Sequence, residues 1–600
     1  MSDNPVLVPN SQRSDLELLR AFEPVIHFTQ GEYFFPVSAG RYVERAALWN
    51  DESDGEPERA FAPTELDLEE LTAHCRVTRG LEHSLSGVDT GVERPDRPRI
   101  PLKQRPPLLR GASRLASVGV TARIVDALNR LSLLFRGSVP GGSAARSFLM
   151  QRDHLEPQSP TYYGRVVRES QWTICQYWYF YSFNNWRSGF GGVNEHEGDW
   201  EQVTIYLDGA GEVDTAGLPS PRWVVFSAHD ETGDDLRRRW DDPDLSLVDG
   251  AHPVVFAGAG SHSGAYLPGD YLITVQPPTL PGVVRLLRYG ARIFTPWSTT
   301  AKGGGVAIPY VDYARGDGRR IGVGEDEAWT PVVLDDTQAW VWAYRGLWGH
   351  DTRDRLGGER GPAGPRYERD GTARQSWADP VGWSGLAKVA PNADVESLMI
   401  EARAEQARER SAQVRADIDE TRTRLNMAAA GLAPGSPEVR SLVAEEERAL
   451  QLSMEATRLS DELRQMDVAL SSQTPVAAPH DHLAHRLTPM EPVTGIRGRL
   501  LSWWSVLSTP LILCALAVVV SPVFGASSTL LSIYSVMLLM SIEGLLRRQF
   551  LAVAVRFIGA AVVIALLYFA WLEWQAVIAV PLVAAAVVVL VVNVREAVRR

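Results

Sequence analysis

The chain has 600 residues, 45% of them hydrophobic and 22% charged, and its formal net charge is -13 at pH 7. This length exceeds what a single hydrophobic core organises, so several domains are expected. The acidic balance argues against general nucleic-acid binding, and no nucleic acid is expected as a partner. The three cysteines, Cys75, Cys175 and Cys514, are too few for a disulfide framework and agree with a reducing compartment.

The N-terminal two thirds of the chain predict a short tail and a β-rich domain. Residues 1–20 are polar and predict a flexible N-terminus, without the basic and apolar segments of a secretory signal. Over residues 21–392, short runs of alternating polarity, such as 202–207 and 271–275, are separated by Gly, Pro and Asp. This pattern predicts a sandwich-like domain of the all-β or α+β class.

An amphipathic helix is predicted inside this domain at about residues 112–136, where apolar residues recur at helical spacing. The surrounding segment is basic, and Arg110, Arg114, Arg123 and Arg130 are candidate contacts to anionic lipid headgroups. The alternative is a helix that packs on its own domain and leaves its arginines in solvent.

The densest cluster of polar residues lies in residues 176–207. An aromatic run leads through a glycine-containing loop to His196, Asp199 and Glu201, just before the alternating run. One imidazole and two carboxylates can bind a divalent cation such as Mg²⁺ or Ca²⁺, and Asp199 and Glu201 share a face because side chains alternate along a strand. The alternative is a structural turn whose carboxylates accept backbone N–H groups or pair with arginine.

Several segments together resemble the vacuolar protein sorting-associated protein 62 family over about residues 22–383. They are HEGDWE at 196–201, FEPVIHFTQGEYFFPVS at 22–38, HPVVFAGAGSHSGAY at 252–266, and the later YRGLWG and WADPVGW. HEGDWE is also similar to the GHRHDWE motif of the necrosis-inducing cytolysins. Those proteins are β-sandwiches that bind a metal through the first His, the Asp and the Glu of the motif.

The resemblance implies a set of site residues. His196, Asp199 and Glu201 match the cytolysin metal ligands, and Asn184 lies near the place where the cytolysins supply a further aspartate. His229 and His262 match positions typical of the sorting-protein family and are expected near the same face of the domain.

No catalytic residue is predicted from the sequence. GSHSG has His262 where a nucleophile elbow has serine, and Lys302 with its following glycines lacks the rest of a phosphate-binding loop.

Beyond residue 392 the composition changes to Ala, Glu, Arg and Leu, and residues 393–471 predict an antiparallel coiled-coil hairpin. The first helix is expected from about 394 to 430. The second carries two stripes at seven-residue spacing, Leu442, Ala449, Ala456, Leu463 and Leu470 beside Leu452, Leu459 and Met466. The hairpin is a candidate for self-association, and residues 472–495 are expected to be a linker.

The region 496–600 predicts four membrane spans at about 500–524, 528–546, 550–572 and 576–594, each long enough to cross a bilayer. Arginines precede the first stretch, separate the second from the third and follow the fourth, which predicts that both termini are cytosolic. Only three of the 60 basic residues are lysine, a codon bias typical of a GC-rich bacterium. A multipass protein of a bacterial inner membrane is therefore expected. The alternative is a buried helical core.

Three functions follow as hypotheses. The first is a membrane-anchored, noncatalytic cytosolic β-sandwich module that binds lipid headgroups or a protein partner, with a divalent cation at the HEGDWE motif. The second is a metal-dependent hydrolase, in which the cation would activate water. The third is a channel or pore subunit with a cytosolic regulatory domain.

Overall fold

A computed structural model describes residues 14–599 except 51–57, 75–82, 88–118, 121–122, 125–126, 128–142, 157–158, 170, 186–195, 212, 216, 229–231, 233–235, 276–307, 336, 351–362, 388, 434–441, 472–488, 491–494, 521–525, 560–561 and 563–573. The protein is multidomain and combines sheets with helices, so its class is mixed α and β. A β-rich domain comes first, followed by two long helices and then by apolar helices.

The strands are numbered here in chain order: β1 Val25–His27, β2 Ala47–Asn50, β3 Glu58–Phe61, β4 His83–Ser86, β5 Thr161–Glu169, β6 Trp172–Asn184, β7 His196–Asp208, β8 Pro221–Phe226, β9 Arg237–Arg239, β10 Leu247–Val248, β11 His252–Ala257, β12 Gly264–Ala265, β13 Gly269–Val275, β14 Ile308–Ala314, β15 Arg320–Ile321 and β16 Thr330–Val333. The helices of the β-rich domain are Asp15–Phe22, Ala39–Val43, Leu68–His74, Ser143–Met150, Ala339–Ala343, Gln375–Ala378 and Pro380–Trp383, and one π-helical turn, Gln151–Leu155, continues the fourth.

A six-stranded sheet in the order β16-β5-β6-β7-β8-β9 is the centre of the domain. Side chains on β6 alternate between its two faces: Tyr177, Tyr179 and Tyr181 join one buried cluster, whereas Trp178 and Phe180 join another. The first cluster is shared with a second sheet, β10-β11-β1-β15, through Ile26, Val255 and Ile321. The second is covered by helices and a small β3-β2-β4 sheet. Because both faces are covered, the whole lengths of β6 and β7 are buried.

The expectation of a flexible tail over residues 1–20 is wrong for its last part. Helix Asp15–Phe22 starts there, with Ser14 and Glu17 forming a capping box. Leu18 and Leu19 are buried in the domain core, so apolar contacts hold a segment that its polarity alone had suggested was loose. Residues 1–13 lie outside the described part of the chain.

The two long helices, Ala393–Ala429 and Val443–Ser471, pack against each other and are called the arm below. Ala407, Val414 and Ile418 of the first contact Leu459 of the second. Ion pairs Arg424–Glu445 and Arg410–Glu455 run between them in antiparallel order. The expected bounds of the first helix agree with the structure to one residue at each end.

Apolar helices Gly495–Val520, Ala526–Leu546 and Trp574–Arg599 follow. In the described residues, one helix, Gly495–Val518, is long and apolar enough to cross a membrane. Tyr534–Leu546, Phe550–Gly559 and Pro581–Val591 are shorter apolar helical stretches. The expected spans at 500–524 and 550–572 both include residues outside the described part, so the four-span arrangement depends on the sequence pattern alone.

Candidate functional site

The HEGDWE motif lies within a strand, whereas the sequence pattern had placed it at the entrance of one, just before residue 202. β7 starts at His196 and pairs antiparallel with β6, so that Tyr181 stands opposite Asp199 and Asn184 opposite His196. Trp200 points into the aromatic cluster on the helix-covered face, and Asp199 faces the other sheet, as strand alternation predicts.

Gly198 allows the motif to pass close to a neighbouring turn. Its φ is +65°, and a Cβ at this position would lie 2.4 Å from the backbone oxygen of Trp348. The next residue back, Glu197, donates its backbone N–H to the carbonyl of His350 at 2.9 Å. Only glycine combines this backbone conformation with such close packing.

The GAGSHSG segment brings His262 to the motif from the second sheet. It connects β11 with β12 in a tight loop, in which the His262 N–H donates to the Gly258 carbonyl at 2.9 Å. The φ of His262 is +58°, an uncommon backbone conformation for a residue with a side chain. The imidazole ring stacks on Tyr181, with the ring centroids 3.8 Å apart and the planes 2° apart.

His262 lies between two buried carboxylates. Its Nδ1 is 2.7 Å from Oδ2 of Asp199, and its Nε2 is 3.8 Å from Oε1 of Glu32. Burial by itself would lower the pKa of His262, but hydrogen bonds and charges from both carboxylates raise that pKa to about 9. The ring is therefore an imidazolium at neutral pH.

Glu32 is fixed by backbone groups as well as by the histidine. Its Oε1 accepts the N–H groups of Tyr33 and Phe34 at 2.6 and 2.9 Å, and its Oε2 accepts that of Gly260 at 2.6 Å. Burial favours the neutral acid, yet His262 and the backbone donors outweigh it and lower the pKa of Glu32. This carboxylate was missed in the sequence, although it lies in the FTQGEYFF segment, because nothing in its spacing connects it with residues so distant along the chain.

The predicted metal ligands are arranged for hydrogen bonding. Asn184 donates its side-chain N–H to Asp199 Oδ2 at 3.1 Å, so the amide presents a donor there and not a ligand oxygen. His196 directs Nδ1 towards the Gly198 carbonyl at 2.9 Å. No group of three or more His, Cys, Asp or Glu side chains that could hold a metal ion is found in the described part of the chain. An amide N–H and an imidazole nitrogen turned to a backbone carbonyl do not fit Mg²⁺ or Ca²⁺, which prefer six or more oxygen ligands.

A small cavity adjoins the histidine. Tyr181, Glu201 and His262 line it together with apolar residues of both sheets, and its volume is ≈ 10 Å³. This is room for about one water molecule and far less than a substrate needs.

Of the four arginines expected to contact lipid headgroups, Arg123 lies in the described part of the chain. Arg123 is helical and buried, and its guanidinium donates to Glu543 Oε1 at 3.1 Å, to Ser508 Oγ at 3.1 Å and to Thr509 Oγ1 at 3.0 Å. Because it contacts the apolar helices, Arg123 is not a headgroup contact. Arg110, Arg114, Arg130, His229 and most of the predicted helix at 112–136 lie outside the described residues.

Comparison with known proteins identifies no relative: no family model matches the chain, and no curated protein or solved structure is significantly similar to it.

Proposed function

We propose that this chain is a membrane-anchored, noncatalytic module of a bacterial inner membrane, with its β-rich domain and both termini in the cytosol. Its ligand class is a lipid headgroup or a protein partner at the membrane surface. The exposed apolar surface of the C-terminal helices is the observation that carries the proposal.

These helices leave large apolar side chains without protein cover. Helix Gly495–Val518 contains an 18-residue apolar stretch with a mean hydropathy of 1.8, and only 28% of that stretch is buried. Trp503 is 69% exposed, Leu551 76% and Leu582 64%. A helical core of a water-soluble domain would bury such residues, since a contiguous exposed apolar patch in water is rare. A lipid bilayer suits this surface. Together with the arginine pattern of the sequence, the exposed apolar surface supports four membrane spans.

Two contacts support a β-rich domain that stays close to the membrane. One is the buried Arg123–Glu543 pair described above. The other lies just before the first apolar helix, where the Met490 N–H donates to the Asp270 carbonyl on β13 at 2.7 Å. One contact lies within the linker and the other beyond it, and together they restrict how far the domain can move from the bilayer.

The arm suits an assembly role and is proposed to be a coiled coil through which copies of the chain associate. Buried residues of its first helix alternate in steps of three and four: Ala404, Ala407, Ser411, Val414, Ile418 and Thr421. This is the spacing of a coiled-coil seam. Leu450, Met454 and Val468 of the second helix are exposed, which leaves apolar surface for a second copy. Light scattering on the purified chain in detergent measures the oligomer size.

Catalysis has less support than binding. His262 lies between two buried carboxylates, but the cavity beside it has a volume of only ≈ 10 Å³. A hydrolase needs a nucleophile or an activated water beside room for a substrate.

Fractionation of the full chain expressed in a bacterium tests the proposal. The protein is expected in the membrane pellet, resistant to alkaline carbonate and released by detergent. A fluorescent protein fused after Arg600 should fluoresce, whereas alkaline phosphatase at the same position should be inactive, because both reporters would lie in the cytosol. Release by carbonate, or active phosphatase, would contradict the anchor or its orientation respectively.

A further inference from the structure

We propose that the His262 side chain fills the space between Asp199 of the HEGDWE motif and Glu32 that a divalent cation would take, so that this site is closed without metal. The inference is independent of the membrane anchor, since it concerns only the interior of the β-rich domain.

The two nitrogen atoms of the ring face the two carboxylates between which a cation would lie. Nδ1 is 2.7 Å from Asp199 Oδ2, and Nε2 is 3.8 Å from Glu32 Oε1. Mg²⁺ and Ca²⁺ require carboxylate oxygens at about 2.0–2.6 Å on several sides. A cation between these oxygens would overlap the imidazole ring.

The ring has no simple route out of this position. It stacks on the buried Tyr181, and its own backbone N–H is held by the Gly258 carbonyl. On either side of it, the Ser261 and Ser263 hydroxyls both donate to Oδ2 of Asp312 on β14. Swinging the ring aside would require the loop to rebuild, and the adjoining cavity of ≈ 10 Å³ does not accommodate an imidazole.

Two other predicted metal ligands, Asn184 and His196, also make hydrogen bonds here. Asn184 turns its N–H towards Asp199, and His196 turns Nδ1 towards a carbonyl of its own strand. A metal site would need the amide oxygen of Asn184, which coordinates cations, in place of its N–H, which repels them.

Metal analysis of the full chain purified in detergent tests the inference. After equilibration with Mg²⁺ or Ca²⁺ and removal of free ion, the wild-type protein is expected to retain far less than one equivalent. Its thermal midpoint is expected not to move with either ion. Near-stoichiometric metal that is lost in Asp199→Asn would overturn the proposal.

His262→Ala supplies the converse experiment, because it empties the space between Glu32 and Asp199. This variant is expected to gain a saturable rise in thermal midpoint with Ca²⁺, as binding to the folded state stabilises it. The rise should disappear in His262→Ala with Asp199→Asn. A folded His262→Ala protein that does not respond to Ca²⁺ or Mg²⁺ would show that His262 does not hold the place of a cation. If His262→Ala does not fold, His262→Gly is measured in the same way, because glycine also empties the space and suits the positive φ of this position. A folded His262→Gly protein that responds to neither ion would equally contradict the proposal.

Discussion

At the scale of residues, His262 joins three distant parts of the chain. Asp199 comes from β7, Glu32 from the segment after β1, and Tyr181 from β6, and each contacts the same ring. Two buried carboxylates without a counter-charge would cost several kcal/mol of folding free energy. The imidazolium supplies that counter-charge and so stabilises the two-sheet core.

This arrangement predicts a pH dependence of stability. The pKa of His262 is raised from 6.5 to about 9, so its contribution is fully present below about pH 6.5 and is lost as the pH rises through 9. Glu32 has a lowered pKa, so its contribution is present above its unfolded pKa of 4.5 and is lost as the pH falls below it. Glu201 and the neutral Tyr181 also face the ring.

The measurement is the thermal midpoint against pH for the wild type and His262→Gln. The thermal midpoint of the wild type should exceed that of His262→Gln at about pH 7, and the difference should disappear by about pH 9.5. His154→Gln, at an exposed histidine, is the control and should follow the wild type. Parallel profiles for all three proteins would rule out a charged His262.

Gly198 makes a second prediction at this scale. Gly198→Ala should destabilise the domain by about 2–4 kcal/mol, because it adds a steric clash with Trp348 to the cost of a positive φ. Gly250→Ala is a matched control, since its φ is +74° but no atom lies within 4 Å of the added Cβ. Thermal unfolding of both should show the smaller loss for Gly250→Ala. Equal losses would mean that backbone conformation alone requires glycine at 198.

At the scale of elements, hydrogen bonds of one side chain connect the β-rich domain to the arm. Asn392 is the N-cap of the first arm helix, and its Oδ1 accepts the Val395 N–H at 2.9 Å. Its Nδ2 lies 2.9 and 3.0 Å from the two carboxylate oxygens of Asp208, at the end of β7. One side chain therefore starts the helix and ties it to the central sheet.

Two substitutions separate these roles. Asn392→Ala should remove both the helix cap and the contact to Asp208, and it should lower the free energy of unfolding by about 1–2 kcal/mol. Asn392→Asp keeps the cap but places its carboxylate beside that of Asp208. Hydrogen exchange at the start of the arm helix is expected to increase in Asn392→Ala and to stay near the wild type in Asn392→Asp, in which the contact to Asp208 is lost. Ser397→Ala, on an exposed part of the same helix, is the control. Unchanged exchange in Asn392→Ala would contradict the capping role.

At the scale of the whole molecule, the Arg123–Glu543 pair connects residues more than four hundred positions apart. Arg547 also pairs with Glu543, at 3.0 Å, so one carboxylate serves two arginines at the edge of the apolar helices. Removing Arg123 would leave Glu543 with Arg547 as its remaining arginine and would take away the Arg123 hydrogen bonds to Glu543, Ser508 and Thr509.

Arg123→Ala should therefore weaken the contact between the β-rich domain and the apolar helices, by about 1–3 kcal/mol. Arg123→Lys keeps a positive charge beside Glu543 but not the guanidinium fork, and it should recover part of the loss. Thermal unfolding of the full chain in detergent measures the loss, and Arg548→Ala, at an exposed arginine in the turn after the helix Ala526–Leu546, is the control. Equal thermal midpoints for the wild type and Arg123→Ala would show that the pair does not hold these parts together.

The elements that the sequence predicted well are those with a repeated local signal. The first arm helix was placed to within a residue at each end because its composition is uniform and changes abruptly beyond residue 392. The helix Asp15–Phe22 was missed because its signal is short: a capping box and two leucines that become buried only after the sheet forms.

Composition and periodicity were enough to determine the order of the units: a β-rich domain, an arm and an apolar C-terminal region. These signals are local, since each depends on neighbours along the chain. Only the tertiary structure decided that Glu32 and His262 meet Asp199, and that Arg123 turns towards Glu543 and away from solvent. Such pairings depend on which strands and helices lie side by side, and the energy of a buried charge is determined by groups that the chain brings from far away.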